Sequence, residues 1–152
     1  MTTTTPTTPA APALNGPVIA QAHYATRAVM ESWLARAGVT FHQALALNAI
    51  VANGAAIEQD RLVARLTSTA RIDESFVLRT IADMTAAGLL EPQPGDELRL
   101  DLTDAGRSLQ ERIAKDIADA AGRLYVGFSD DELATASRVL TLVTARANAE
   151  LG

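Results

Sequence analysis

Cysteine is absent from the 152 residues of this chain, which excludes disulfide bonds, cysteine-ligated metals and thiol-based peroxide sensing. Histidine is also scarce, with His23 and His42 as the two examples, so we expect neither a metal site nor a bound cofactor. Aromatic residues make up 4% of the chain, whereas alanine is abundant. This composition favours helices that pack through small and aliphatic side chains.

Long apolar runs and an excess of basic charge are missing too. The sequence has no apolar run of about 18 residues, which argues against a membrane span, and it lacks the segments of a signal peptide. We therefore expect a cytoplasmic protein that does not associate with membranes. The formal net charge of −5 argues against binding nucleic acid through bulk charge. Any contact with DNA must come from a local arrangement of arginines.

Motifs that carry catalysis are also lacking. The sequence contains no nucleophile elbow, no phosphate-binding glycine loop and no histidine–carboxylate arrangement. The adjacent acids Asp130 and Asp131 are more simply explained as helix-cap residues. We predict that the protein is not an enzyme and has no catalytic residues.

Apolar periodicity and helix caps divide the chain into four regions. Residues 1–14 are rich in threonine, proline and alanine, and we expect a disordered tail. Residues 15–38 predict one helix, capped by Asn15 and carrying a regular apolar stripe. Residues 39–103 predict a winged helix-turn-helix lobe. Residues 104–152 predict two long helices that we expect, together with residues 15–38, to mediate dimerisation.

The predicted lobe begins with a capping box formed by Thr40 and Gln43. A short helix over about residues 58–67 and a polar turn over residues 68–72 follow. A longer helix then begins at Asp73 and ends at Gly88. Its predicted apolar face consists of Phe76, Val77, Ile81 and Met84. Two helices joined by a polar turn and followed by a hairpin indicate a winged helix-turn-helix.

The stretch GLLEPQPGDELRLDLTDAGR, residues 88–107, predicts the hairpin wing. Leu98, Leu100 and Leu102 alternate with polar residues after a Pro-Gly-Asp turn, which is a strand pattern. Acidic residues dominate here, and residues 40–103 together hold five arginines against nine acids, a local charge of −4. We expect a wing that touches the DNA backbone at most, and this acidity weakens the expectation of strong DNA binding.

The last two predicted helices carry apolar stripes that a three-helix winged lobe does not cover. One stripe runs from Leu109 to Leu124, and the other runs from Leu133 to Leu151 after the capping box SDDE. A second copy of the chain would cover them, so we predict a twofold homodimer. The alternative is a monomer that packs these helices onto its own core.

Several strings resemble the MarR family of bacterial transcription regulators. The most specific is LTDAGRSLQERI, residues 102–113, which is similar to that family's junction between wing and dimerisation helix. VLRTIADMTAAGLL, residues 77–90, resembles its recognition helix. FSDDELATASRVL, residues 128–140, and TFHQALALNAIVANG, residues 40–54, resemble its last helix and the helix before the helix-turn-helix. The resemblance covers about residues 17–150.

The resemblance implies a mainly α fold with a small β-hairpin wing, in which a winged helix-turn-helix lobe is joined to N- and C-terminal dimerisation helices. It also implies a dimer that binds a roughly palindromic double-stranded DNA operator and responds to a small aromatic or phenolic ligand, usually as a repressor. The alternative is a winged-helix dimer with little DNA affinity that binds ligands or proteins instead.

Candidate DNA-binding residues follow from this likeness and from helix geometry. Ser75 and Arg79 lie four residues apart and share a helix face, with Thr80 next to it. The resemblance places Arg79 on the arginine of a usual Thr-Arg pair, with Leu78 replacing the threonine. An ion pair between Arg79 and Asp83 is the alternative role. Further candidates for contacts to phosphate, each of which could equally be a solvated surface charge, are Arg61, Arg65, Arg71 and Arg99.

Candidate ligand-pocket residues lie on the first helix and at the start of the second. Tyr24 and Arg27 are three residues apart and could meet an anionic aromatic ligand through a hydrogen bond and charge. The other candidates are His23, Trp33 and His42. The alternatives are core or dimer packing for Trp33 and a surface or interfacial position for the two histidines.

Overall fold

The computed structural model describes residues 13–152, and most of the predicted tail, residues 1–12, lies outside them. The elements in chain order are α1 (Gly16–Arg36), α2 (Phe41–Ala52), β1 (Ala56–Glu58), α3 (Gln59–Thr69), α4 (Glu74–Ala86), β2 (Leu90–Gln93), β3 (Arg99–Leu102), α5 (Asp104–Leu124) and α6 (Asp130–Glu150). The prediction of a mainly α fold with a small β wing is confirmed.

Local caps set the starts of several helices where they were predicted. The Asn15 side chain accepts a hydrogen bond of 3.1 Å from the Val18 amide at the start of α1. Thr40 and Gln43 bond each other's backbone amides at the start of α2, which is the predicted capping box. Such bonds satisfy amides that have no partner within the helix. At Asp73 the helix begins as predicted, but the side chain makes no capping hydrogen bond.

The sheet has three strands rather than the predicted two. Its order is β1-β3-β2, with both pairs antiparallel. Strand β1 was missed: the sequence interpretation began a helix at Glu58, whereas Glu58 ends β1 and pairs with Arg99 of β3. Because β1 has three residues and pairs with a distant strand, local periodicity gives no signal for it.

The core of the lobe lies between α2, α3, α4 and the sheet. Its most completely buried side chains are Leu47, Ile50, Leu62, Val77, Met84 and Leu100. They come from four different elements, so the sheet and the three helices share one core. Leu98, predicted as the first inward residue of the wing, is instead 40% exposed and precedes β3.

The link between α3 and α4 is shorter than predicted. The helix α3 continues to Thr69, two residues into the predicted polar turn, and the hydroxyls of Thr67, Ser68 and Thr69 donate to backbone carbonyls three or four residues earlier. The chain then passes through Arg71, whose φ of 54° lies in the left-handed region, before α4 begins. Four residues therefore join the two helices of the helix-turn-helix.

The junction LTDAG fixes the end of α4 and the wing to the start of α5. The Thr103 hydroxyl donates to the Gly88 carbonyl at 2.6 Å and accepts from the Gly106 amide at 3.0 Å. A Cβ atom on Gly106 would collide with the carbonyl oxygen of Leu89. Position 106 therefore requires glycine, because the backbone after α4 passes directly against the first turn of α5.

The described residues divide into two compact units, one extending through Ile113 and the other running from Ala114 to Gly152. In the second unit α6 begins with the predicted Ser129–Glu132 capping box. No residue of α6 is buried, and the structure describes all of them. Its exposed apolar side chains include Leu140, Leu142 and Val143.

The division into a tail, a dimerisation helix, a lobe and dimerisation helices stays a prediction. None of the helices between residues 13 and 152 combines the length and apolar content that a membrane crossing requires.

Candidate functional site

The outward side of α4 is organised in two rows of side chains. One row contains Ser75, Leu78, Ala82 and Ala86, at successive spacings of three, four and four residues. The other contains Phe76, Arg79 and Asp83. Residues three or four apart are neighbours on a helix surface, and all seven are exposed. This face, the outer face of α4, combines a row of one serine and three apolar residues, which we call the apolar row, with a row that carries one cation and one acid.

Thr80 and Phe76 each lie on the side of α4 opposite to the side that the sequence predicts. Thr80, predicted beside the DNA-contacting face, is 7% exposed, and its hydroxyl donates to the Phe76 carbonyl at 2.9 Å. It therefore belongs to the buried side of the helix and is removed from the candidate DNA contacts. Phe76, predicted as a core residue, is 38% exposed because its ring packs at the lobe surface against His42.

Arg79 keeps its charge available on the outer face of α4. Its guanidinium carbon lies 5.4 Å from the centroid of the Phe76 ring, a cation–π distance that orients the side chain along the helix. Within the described residues no ion pair joins Arg79 to Asp83, so the alternative role for this arginine is not seen. A guanidinium in this position can bond a guanine edge or a phosphate.

Arg99 is engaged within the wing. Its Nε and Nη2 atoms donate to the two carboxylate oxygens of Asp101 at 2.8 and 3.1 Å. These hydrogen bonds and the negative charge of Asp101 raise the pKa of Arg99. The pair is bidentate, which directs the guanidinium at a carboxylate two residues away. The wing's cation is therefore neutralised locally.

Acidic side chains surround that pair. A shallow cleft at the wing is lined by Glu58, Gln93, Pro94, Gly95, Asp96, Glu97 and Arg99. Three of these residues are acids and one is a cation already bonded to Asp101. A phosphate would be repelled at this end of the hairpin.

The remaining arginine candidates are exposed. Arg61 and Arg65 lie four residues apart on α3 and share a face, while Arg71 lies in the linker before α4. All three side chains reach the solvent on the segments that precede α4. They stay candidate phosphate contacts.

A second cluster joins α1, α2 and α4. The Arg27 guanidinium lies 4.4 Å from the centroid of the Phe41 ring and donates to Glu31 at 2.8 Å. His42 packs edge-on against Phe76 with 4.8 Å between ring centroids. Phe41, which the sequence interpretation did not select, stands next to His42 in the chain and connects the two contacts. We call Arg27, Glu31, Phe41, His42 and Phe76 the three-helix cluster.

The cluster sets the charge of His42. Partial burial, followed by the positive charge of Arg27, lowers the pKa of His42, and the carboxylate of Glu31 opposes this shift. His42 is therefore neutral at physiological pH, since its ordinary pKa is already about 6.5. A neutral ring can pack against Phe76 without exposing an unpaired charge to an aromatic edge.

The predicted pocket residues separate into two pairs and one single residue. Arg27 and His42 belong to the three-helix cluster. The rings of His23 and Tyr24 are in tilted contact, with 5.6 Å between centroids, and Tyr24 is 68% exposed. Trp33 is half-buried on α1. The contacts of Phe41 with Arg27 and of Phe76 with His42 are tertiary, so local spacing does not report them. Glu31 lies four residues after Arg27, and this spacing is the local signal that could have identified it.

Solved structures share this fold. The chain is similar to a mutant of MarR from E. coli complexed with operator DNA, with a TM-score of 0.71 and 20% identity over 84% of this chain and 91% of that chain. It is similar to a MarR family transcriptional regulator from Streptomyces coelicolor, with a TM-score of 0.72 and 18% identity over 86% and 91% of the two chains.

A third similar structure is CouR from Rhodococcus jostii bound to p-coumaroyl-CoA, with a TM-score of 0.70 and 15% identity over 83% of this chain and 88% of that chain. No protein-family model matches the chain, and no curated protein matches its sequence. The chain therefore has the winged-helix fold of MarR-family transcriptional regulators.

Proposed function

We propose that this protein is a dimeric, ligand-responsive transcriptional regulator, acting as a repressor, that binds a roughly palindromic operator. The observation that carries the proposal is the outer face of α4. It presents the unpaired Arg79 from the second helix of a helix-turn-helix, the element that enters the major groove in this class of domain. A structure with the same fold is complexed with operator DNA.

In the proposed complex α4 is the recognition helix. Arg79 and Ser75 face base edges or phosphates, while Arg61, Arg65 and Arg71 contact the backbone and fix the register of the lobe. The protein holds no catalytic role in this proposal. Arg99 contributes little because Asp101 already occupies its guanidinium.

Dimerisation is supported by the second unit. A helix with no buried residue and with several exposed apolar side chains leaves apolar surface in water, which a partner helix would cover. A groove of this unit is lined by Tyr125, Leu133, Ala136, Ser137, Leu140, Thr141 and Thr144. Two copies related by a twofold axis would place two recognition helices on two half-sites.

Ligand response is supported by the three-helix cluster. Arg27 lies over the Phe41 ring and donates to Glu31, so an anionic aromatic molecule could bind here by replacing the Glu31 carboxylate at the guanidinium. A similar structure, CouR, is bound to p-coumaroyl-CoA. Because Phe76 belongs to both the cluster and α4, a ligand that displaces the cluster would shift the recognition helix.

The test is binding to the DNA directly upstream of the protein's own gene at several salt concentrations. Specific binding is expected, with a slope of log affinity against log salt no steeper than about −7, because four exposed arginines per protomer limit the phosphates contacted. Sedimentation of the same sample is expected to give a dimer. Specific and nonspecific duplexes bound equally at every salt concentration would contradict the proposal.

The acidity of the wing favours a second candidate function. Nine acids against five arginines in residues 40–103 suit a winged-helix dimer with little DNA affinity that binds a ligand or a protein. The same titration separates the two functions. This alternative predicts a stable dimer with no duplex bound at low salt.

A further inference from the structure

The apolar row on the outer face of α4 supplies no buried side chain to the core. Ser75, Leu78, Ala82 and Ala86 are all exposed, and Leu78 keeps 39% of its surface in water. The core is filled from the other side of α4 by Val77, Ile81 and Met84. A leucine on a helix surface that keeps more than a third of its surface exposed is available for contact with a partner.

The charge of the lobe makes this row important for recognition. Arginines are outnumbered by acids across residues 40–103, and Arg99 is bonded to Asp101. Sequence-independent affinity for DNA comes mainly from cations that contact phosphates. A lobe with few available cations must therefore obtain a larger share of its binding from base edges.

The base edges that an apolar side chain can recognise are limited. In the major groove thymine presents a C5-methyl group, and apolar side chains contact it. Leu78 lies beside Arg79 on α4, so one helix face offers a guanine-binding group next to a methyl-binding group. The short side chains of Ser75 and Ala82 on either side of Leu78 leave it room to approach a base.

We propose that Leu78 reads a thymine methyl group in the operator and is a specificity determinant beside Arg79. This inference rests on the proposed function, because it requires α4 to enter the major groove. The operator half-site is then expected to contain at least one thymine whose methyl group contributes to affinity, next to the base pair contacted by Arg79.

The experiment uses the full chain and a duplex that the chain itself selects from a random pool. Each thymine of the selected duplex is replaced in turn by uracil, which keeps every hydrogen-bonding group and removes one methyl. Burial of one methyl group corresponds to about fourfold in affinity. We expect about fourfold weaker binding for at least one substitution in each half-site.

Variants then assign the methyl contact to Leu78. Leu78→Ala is expected to bind the thymine and uracil duplexes equally, whereas Leu78→Met keeps an apolar side chain and retains the discrimination. Leu98→Ala is the matched control, since Leu98 is equally exposed at 40% but lies before β3 in the wing. This control is expected to keep the fourfold difference.

Two results would overturn the inference alone: equal binding of all thymine and uracil duplexes by the unaltered chain, or discrimination that survives in Leu78→Ala. Failure to select any duplex would overturn the proposed function and this inference together. Because Leu78 is exposed and alanine favours helices, Leu78→Ala is expected to fold, and its thermal unfolding checks this.

Discussion

The outer face of α4 and the wing lie in the same lobe, but their arginines differ in whether a carboxylate is already bonded to the guanidinium. Arg79 lies over an aromatic ring, which leaves its hydrogen-bond donors available. Arg99 gives two donors to Asp101 among further acids. The difference teaches that an arginine count alone does not measure DNA affinity, because the nearest carboxylate decides whether a guanidinium can contact a phosphate.

Both surfaces depend on the junction at Gly106, so the largest expected effect comes from breaking it. Gly106→Ala places a methyl group against the Leu89 carbonyl and within 3.1 Å of the Leu102 side chain. Overpacking against backbone costs about 3 kcal/mol, and urea unfolding is expected to show this loss. The wing and the end of α4 would be displaced together.

Gly122 provides the matched control on the same helix. A Cβ atom there meets nothing within 4 Å, so Gly122→Ala is expected to raise the free energy of unfolding by about 0.5–1 kcal/mol through helix propensity. Equal stability of the two variants would show that the close approach at Gly106 is not what fixes the junction.

The next effect compares the two arginines directly. Arg79→Ala is expected to weaken operator binding by about 1–3 kcal/mol, which is the range for a bidentate contact to a base. Arg99→Ala is expected to change it by less than about 0.5 kcal/mol, because Asp101 already holds that side chain. Fluorescence anisotropy with one labelled operator measures both, and a larger effect for Arg99→Ala would reverse the assignment.

The sequence predicted the parts of this comparison that depend on local chemistry. The Asn15 and Thr40 caps act between residues three apart, so the starts of α1 and α2 could be placed correctly. Strand β1 and the contact of His42 with Phe76 depend on segments that are distant in the chain, and periodicity does not report them. Thr80 was misplaced because its hydroxyl is satisfied by its own helix, which allows a polar side chain to face inward.

A smaller effect is expected when the wing's carboxylate is removed. Asp101→Asn releases Arg99, and affinity for the operator is expected to rise a few-fold, with a salt slope steeper by about one per arginine that gains a phosphate. Asp116→Asn, an exposed change on α5, controls for net charge alone. A rise in operator affinity of the same size in both variants would mean that overall charge, rather than the Arg99–Asp101 pair, limits the affinity of the wing for DNA.

The smallest expected effect is a pH dependence of the free energy of unfolding, which arises from His42 where its ring packs against Phe76 of α4. Burial and Arg27 lower the pKa of His42, so the unfolded chain takes up the proton at a higher pH than the folded chain does. The stabilisation from the neutral ring is fully present above the ordinary pKa near 6.5. It falls as the pH decreases below that value, until the lower pKa of the folded state is reached.

His42→Phe keeps an aromatic ring against Phe76 but cannot be protonated, so this part of the pH dependence is expected to disappear. Free energies of unfolding at several pH values between 7.5 and 5 compare the variant with the unaltered chain. His23→Phe, which changes the other histidine, is expected to leave the His42 contribution in place. If His42→Phe and the unaltered chain lost stability in parallel over this range, protonation of His42 would not be linked to its contact with α4.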